Sequence, residues 1–341
     1  MTLIITLFLL LTSKGEFQNL DIPTFKEKII DNQVVLIDVR TAEEFEAGHI
    51  PGAINIDWYG SDFLQKAEQV CTKDKPVALY CRSGKRSLAA AVKMTRSGYQ
   101  VLNLKGGFNA WQEAGEPVTR YEVETFHTNS GKAVWITLIK HGSLAVSYDG
   151  LSIQVDPVSG LGKPTDYAAE FPKADVILVT HEHGDHLDQT ALEALTKEST
   201  RLILNGTSAK KIGRGEVIGN GETWTLPKGI ILEAVPAYNT TPGREKFHPK
   251  GNGNGYVLTL DGLRIYIAGD TEDIPEMENL KDIDIAFLPV NQPYTMTVGQ
   301  CAAATRMIRP KVLIPYHFSD TDLTGLQELL PGQKILFRNM Q

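Results

Sequence analysis

Cysteine is scarce: the 341 residues contain three, Cys71, Cys81 and Cys301. They are too few, too widely spaced and odd in number to build a disulfide framework, so the fold must rest on its core. No apolar run reaches the ~20 residues needed to cross a bilayer, which excludes a multi-span membrane protein. No long basic run occurs. The 34 basic and 41 acidic residues leave a net charge of −7, which disfavours nucleic acid as the main partner. Internal repeats are absent. The nearest approach to low complexity, Gly251-Asn252-Gly253-Asn254-Gly255, reads as a mobile loop. What is present, 42% hydrophobic and 22% charged residues, is the composition of an ordinary globular protein rather than a disordered or collagenous one. At roughly 100–200 residues per domain the length predicts two domains.

The N-terminus opens with the apolar run Leu3 to Leu11, broken only by Thr6. As a helix it would rise about 14 Å, half a bilayer core, which suits the apolar region of a secretory signal and not a span. No Lys or Arg precedes it. The sequence Leu11-Thr12-Ser13-Lys14 resembles a bacterial lipoprotein signal in which Lys14 stands at the position of the lipidated Cys, so acylation there is excluded. Residues 1–18 are set apart from the fold as a candidate signal segment, the alternative being a frayed N-terminal strand or helix. The signal reading predicts export to a bacterial periplasm or envelope, with a cytoplasmic location as the alternative.

Residues 19–117 alternate strand and helix signals. Val34-Val35-Leu36-Ile37, Val77-Ala78-Leu79-Tyr80 and Val101-Leu102-Asn103-Leu104 are short apolar runs expected to be buried strands. Thr41 to Ala47 and Ser87 to Ser97 read as helices, the first opening on a Thr41/Glu44 capping box and the second closing at Gly98. The alternation implies a parallel sheet with crossover helices. After a linker at 118–130, residues 131–341 change texture. Strands are expected at Trp135–Ile139, Leu144–Tyr148, Ser152–Val155, Val176–Val179, Leu202–Leu204, Ile230–Val235, Tyr256–Leu260 and Arg264–Ala268. Asp149-Gly150 and Asp261-Gly262 are expected hairpin turns, with helices near Leu187–Lys197 and Val298–Ile308.

Cys81 stands where a strand signal ends and a helix begins, followed by Arg82, Ser83, Gly84, Lys85, Arg86 and Ser87. A thiol facing a helix N-terminus sits in positive potential, and the three cations add to it. Both favour the nucleophilic thiolate. Around it, Asp38-Val39-Arg40, Glu43-Glu44-Phe45, Gly48-His49-Ile50-Pro51-Gly52-Ala53-Ile54-Asn55 and Gly106-Gly107-Phe108-Asn109-Ala110-Trp111 resemble the rhodanese domain family, in family order. The resemblance implies sulfur transfer through a Cys81 persulfide, with Arg82 to Ser87 as the active loop. Cys71 and Cys301 read as packed, inert thiols.

The second cluster is Thr180-His181-Glu182-His183-Gly184-Asp185-His186, directly after a strand signal. Three imidazoles and the Asp185 carboxylate, with Glu182 between the first two, fall within six residues and are the ligand types of Zn, Fe, Ni or Mn. His181 and His183 can converge on one ion, and Asp185 and His186 can serve another. The pattern resembles the metallo-β-lactamase superfamily. Gly269-Asp270-Thr271 and Ile314-Pro315-Tyr316-His317 resemble its bridging carboxylate and its last histidine ligand. Thr295-Met296-Thr297 with Gly269-Asp270-Thr271 looks most like the branch containing ascorbate-phosphate lactonase and N-acyl-phosphatidylethanolamine phospholipase D. The sequence departs from those relatives at Pro236-Ala237-Tyr238-Asn239, where Asn239 occupies the position of a ligating His; His248 is expected to take its place.

The expected architecture is thus α/β with two domains: a rhodanese-like parallel sheet with flanking helices, then a metallo-β-lactamase-like αββα sandwich. The expected function is a metal-dependent hydrolase carrying a sulfurtransferase domain. Cys81, Asp185 and Asp270 are its catalytic groups. His181, His183, Asp185, His186, His248, Asp270 and His317 hold two divalent metal ions, with Zn first and Mn or Fe as alternatives. Asp156 is read either as a residue orienting these ligands or as an ordinary turn residue. The partners are a small-molecule substrate and a sulfur donor such as thiosulfate or a persulfide. Two alternatives stand beside this reading: an iron persulfide dioxygenase fused to a rhodanese, and a hydrolase whose rhodanese module only binds. The substrate and oligomeric state are not legible.

Overall fold

The structure is a computed structural model that describes residues 17–29, 34–338 and 340. It divides into two compact units, up to Tyr121 and from Glu122 onward. The apolar run read as an export signal lies outside the described residues. Among the described residues no helix is long and apolar enough to cross a membrane.

The first unit has strands β1 (Gln18–Leu20), β2 (Val35–Asp38), β3 (Ile54–Asn55), β4 (Val77–Tyr80) and β5 (Val101–Leu104). Its helices are α1 (Ile22–Ile29), α2 (Ala42–Glu46), α3 (Phe63–Val70), α4 (Lys85–Arg96) and α5 (Gly107–Glu113). All strand pairs are parallel, in the order β1-β5-β4-β2-β3. Every residue of central β4 is fully buried, because helices cover both faces of the sheet. The Thr41/Glu44 capping box forms as the sequence predicts, with Thr41 accepting from the Glu44 amide and Glu44 from the Thr41 amide.

The second unit holds two seven-stranded sheets. The first contains β6 (Glu122–His127), β7 (Ala133–Lys140), β8 (Ser143–Tyr148), β9 (Leu151–Val155), β10 (Val176–Val179), β11 (Arg201–Leu204) and β12 (Glu216–Val217). The second contains β13 (Thr223–Thr225), β14 (Ile231–Ala237), β15 (Gly253–Leu260), β16 (Leu263–Ile267), β17 (Ile285–Pro289), β18 (Val312–Tyr316) and β19 (Lys334–Ile335). Helices α6 (Tyr167–Glu170), α7 (Gln189–Leu195) and α8 (Gly206–Ile212) accompany the first sheet, and α9 (Val298–Ile308) and α10 (Gly325–Leu329) the second. Both hairpins turn at the expected Asp-Gly pairs, with φ of 48° and 80° at Asp149-Gly150 and 45° and 84° at Asp261-Gly262.

Alternation along the strands sends one set of side chains between the sheets. Val134, Ile136, Ile153, Val155, Val176 and Leu178 meet Leu232, Tyr256, Leu258, Ile265, Phe287 and Tyr316 there. Each such large apolar side chain contributes ~1.5–3 kcal/mol on burial. The opposite face of the second sheet, including Val257, Tyr266, Ala286 and Leu313, packs on Cys301, Ala302, Ala304 and Ile308 of α9.

Two readings change. Residues 122–127, within the stretch read as a linker, form the edge strand β6 paired to β7. Gly253 to Gly255 are not a mobile loop but the start of β15, paired with Val235 to Ala237. Their glycines serve close packing: a Cβ on Gly253 would lie 2.9 Å from the Ala237 carbonyl oxygen, and one on Gly255 2.8 Å from that of Ala268.

Candidate functional sites

Cys81 follows β4 directly and is 1% exposed. Its Sγ accepts the Gly84 amide at 3.2 Å, and Gly84 adopts φ 92° just before α4 begins. Only glycine takes that turn without strain. The N-terminal amides of α5 grip the same loop: Phe108 N–H donates to the Cys81 carbonyl and Asn109 N–H to that of Arg82. Gly107 permits this approach, since a Cβ there would lie 2.3 Å from the Cys81 oxygen. Of the three loop cations, Arg82 and Lys85 are exposed, while Arg86 makes a two-pronged pair with Glu44 at 2.6 and 2.8 Å. Burial pushes the Cys71 thiol up to about 11 and the Cys301 thiol up to about 12, so neither is a nucleophile.

In the second unit the expected ligands converge from several strand ends: His181, His183, Asp185 and His186 follow β10, Asp270 follows β16, His317 follows β18, and His248 comes from the segment between β14 and β15. His181, His183 and His248 form one group, His141, Asp185, His186 and His317 another, and His181, His186 and Asp270 a third; within each, the ligand atoms lie within 4.8 Å of one another. Asp270 turns one carboxylate oxygen to each side. Its Oδ2 is 3.2 Å from His248 Nε2 and 3.9 Å from His181 Nε2. Its Oδ1 is 3.2 Å from His186 Nε2 and 3.3 Å from His317 Nε2.

Hydrogen bonds behind the rings fix which nitrogen faces the centre. His186 Nδ1 donates to Asp156 Oδ2 at 2.7 Å. His181 Nδ1 donates to Thr180 Oγ1 at 3.0 Å, and that hydroxyl donates to Asp156 at 2.6 Å. His248 Nδ1 donates to the Tyr294 carbonyl at 3.1 Å. The Asn239 amide donates to the same carbonyl at 2.7 Å, and the Asn239 backbone N–H to the His248 carbonyl at 2.9 Å. Asn239 therefore stands behind His248. The loop carrying both is pinned by the fully buried Glu272, whose Oε2 accepts the Thr240 and Thr241 amides at 2.7 and 2.6 Å.

The residues fit divalent cations. His186 Nε2, His248 Nε2, Asp270 Oδ1 and both ring nitrogens of His317 are buried without a hydrogen-bond partner. Each such orphan costs ~1–3 kcal/mol, so several converging on one centre call for a cation. Burial opposes charge on His317, yet Asp270 and Asp185 raise it to about 9. Burial likewise opposes charge on His186, and Asp270 and Asp156 outweigh it, raising that imidazole well above its ordinary value. At these two rings the neighbouring carboxylates favour positive charge, whereas burial and the neighbouring histidines lower His181 and His183.

One member was not found from sequence. His141 follows β7, and its Nε2 lies 3.1 Å from Asp185 Oδ2. A single His in a four-residue gap between two strand signals gives no cue. Only the parallel alignment of β7 with β9 and β10 brings it to the centre.

A His/Asp ligand run after a strand, completed by residues from the facing sheet of a two-sheet sandwich, defines the metallo-β-lactamase fold class, here preceded by a five-stranded parallel α/β unit. The β-lactamase superfamily domain model matches residues 135–317 and the rhodanese-like domain model residues 21–114; the chain belongs to the β-lactamase superfamily and carries an N-terminal rhodanese-like domain. A UPF0173 metal-dependent hydrolase of Thermococcus kodakarensis is 30% identical over 175 residues, covering 49% of this chain and 77% of that protein. One from Ligilactobacillus salivarius is 33% identical over 192 residues, covering 54% and 84%. The crystal structure of a Parabacteroides distasonis protein is 58% identical, covers 65% of this chain and 100% of its own, and superposes with a TM-score of 0.63. The metallo hydrolase Igni18 of Ignicoccus hospitalis is 26% identical, covers 61% and 95%, and has a TM-score of 0.52.

Proposed function

We propose that the chain is a metal-dependent hydrolase of small molecules with a sulfurtransferase module at its N-terminus. The observation that carries the hydrolase reading is the convergence of orphaned imidazole and carboxylate atoms around Asp270. His181, His183 and His248 would hold one ion, Asp185, His186 and His317 a second, and Asp270 would serve both. When bound, the ions supply Lewis acidity and lower the pKa of a coordinated water toward neutrality. Zinc suits this nitrogen-rich set best. The chain's own part is orientation and proton handling. Asp156, Thr180 and the Tyr294 carbonyl hold the rings, and the partly exposed Asp185 carboxylate is placed to accept a proton at the solvent side.

In the first unit the reading is sulfur transfer. The Cys81 thiolate attacks the outer sulfur of thiosulfate; the S–S bond breaks, sulfite leaves with the electron pair, and Cys81 carries a persulfide. A nucleophile such as cyanide then takes the terminal sulfur and the thiolate returns. The Gly84 amide stabilises the anionic sulfur, and exposed Arg82 and Lys85 attract the anionic donor.

The test is elemental analysis of the purified protein together with assays. Two zinc or manganese ions per chain, with chelator-sensitive cleavage of a lactone, phosphodiester or thioester, support the hydrolase. One iron per chain, with oxygen consumption on a persulfide, would replace it by the dioxygenase. Thiocyanate formation that disappears in Cys81→Ser supports sulfur transfer; its absence in the unaltered protein leaves a binding module.

A further inference from the structure

We propose that His141 is a positioning residue of the metal centre: its Nε2–H holds the Asp185 carboxylate in place for the second ion. The inference rests on the hydrolase reading and adds to the chain a residue outside the ligand set.

Four observations carry it. His141 Nε2 is 3.1 Å from Asp185 Oδ2 in hydrogen-bonding geometry. The same oxygen faces His317 Nε2 at 3.7 Å and His186 Nε2 at 3.9 Å, so the bond acts on the atom that points into the second group. The His141 ring packs at a 40° tilt against the His317 ring, centroids 3.6 Å apart, and its Nε2, although close to the second group, is spent on the Asp185 carboxylate. That geometry suits a donor beside the site better than a further ligand. Finally, the backbone is forced to deliver it. His141 has φ 47°, a left-handed conformation that costs a non-glycine residue of order 1–3 kcal/mol.

The surroundings keep that conformation. The His141 amide donates to the Met340 carbonyl at 2.6 Å, and its carbonyl accepts the His317 amide at 3.1 Å. The turn is thus tied directly to a ligand-bearing segment. Gly142 completes the arrangement, because a Cβ there would lie 2.7 Å from His186 Cε1. The strand end at 140–142 therefore contacts Asp185, His186 and His317 together. Asp185 needs such help: it is the one carboxylate of the centre that is partly exposed, and solvent would otherwise compete for its oxygens.

The experiment is zinc titration of apo-protein against a chromophoric chelator, with the cobalt(II) absorption spectrum as a second readout. The variants are His141→Gln, His141→Ala and His141→Gly. Gln presents an N–H near the position of Nε2. Gly removes the donor while relaxing the left-handed backbone, so a loss in Gly is not a folding defect. The expected result is a 10–100-fold weaker second site in Ala and Gly, an unchanged first site, and near-complete recovery in Gln with an unaltered cobalt spectrum. If Gln binds as weakly as Ala and its cobalt spectrum shifts, His141 is a ligand and the proposal fails. If Ala and Gly bind both ions as the unaltered protein does, His141 has no role at the centre. An unaltered protein that binds fewer than two ions would instead overturn the two-ion reading of the site on which the inference rests.

Discussion

Asp156 and His186 lie 2.7 Å apart, both fully buried, one at the end of β9 and the other in the turn after neighbouring β10. Asp156 takes φ 43° to reach that position, and His141 and His317 leave their strands in the same left-handed conformation, at 47° each. Three strand ends strained in the same sense around one centre indicate that side-chain delivery outweighs backbone comfort there. Asp156 also accepts the Thr180 amide at 2.7 Å and the Thr180 hydroxyl at 2.6 Å. It is therefore the shared anchor of both histidine groups, and the reading of it as an ordinary turn residue gives way.

Replacing Asp156 by Ala should leave the Thr180 amide and His186 Nδ1 buried without acceptors. Each orphan costs ~1–3 kcal/mol. We expect destabilisation of about 2–4 kcal/mol and metal affinity reduced ~10–100-fold at both sites. Urea unfolding and chelator competition measure the two effects. Unchanged metal affinity would remove Asp156 from the support of the centre.

Much of this was readable beforehand, for a physical reason. The ligand run 181–186 and the Cys81 loop are local: a strand, a tight turn and a helix place their own chemistry, and short-range patterns encode them. Val298–Ile308 and Val176–Val179 match their expected bounds because periodic or uniformly apolar runs signal burial. Pieces that depend on remote pairing were not readable. His141, the Tyr294 carbonyl and Glu272 act only after the sheets align. β17 escaped notice because a five-residue parallel strand ending in Pro289 offers no hairpin cue. The Gly253–Gly255 strand reads as a loop in the sequence because glycine signals flexibility and close packing alike.

Lys140 offers a test of the neighbouring loop. Its ammonium, 3% exposed as a residue, donates to the carbonyls of Gly160 at 3.0 Å and Leu161 at 3.1 Å, and also to that of Lys163. Lys140→Met keeps the apolar stem and removes the donors. The stranded carbonyls should cost about 2–4 kcal/mol. Hydrogen exchange should speed first in residues 158–165. Unaltered exchange there would show that the loop is held by other contacts.

The Glu44–Arg86 pair predicts a pH dependence in the first unit. The Arg86 hydrogen bonds pull the Glu44 carboxyl down to about 2 from an ordinary 4.5. A carboxyl lowered on folding stabilises the native state above its unfolded pKa and loses that contribution as pH falls through the folded one. The benefit is therefore complete above about pH 4.5 and fades toward pH 2. The Glu44 side chain is 26% exposed, so solvent screening limits it to about 1 kcal/mol. Glu44→Gln retains a capping-box residue and removes only the charge. Its thermal midpoint should fall below that of the unaltered protein at pH 7, and the gap should narrow at pH 3. A gap that stays constant would mean the pair contributes nothing through its charge.

The remaining prediction concerns the exchange of ligand positions. His248 Nε2 faces Asp270, while Asn239 spends its amide on the Tyr294 carbonyl that also orients His248. His248→Ala should therefore weaken the first site sharply and leave the second nearly intact, since Asp270 Oδ1 still faces His186 and His317. Asn239→Ala removes only a bond behind the ring, and we expect a fall of ~10-fold or less. Asn239 and His248 donate to one and the same oxygen, so their side chains are close neighbours. The double variant Asn239→His with His248→Ala should then recover part of the affinity lost in His248→Ala, because an imidazole returns from the adjacent backbone position. Site-resolved zinc titration of the three variants checks this. If Asn239→Ala loses the first ion while His248→Ala keeps it, the amide oxygen is the ligand. The centre would then favour a harder ion such as manganese over zinc.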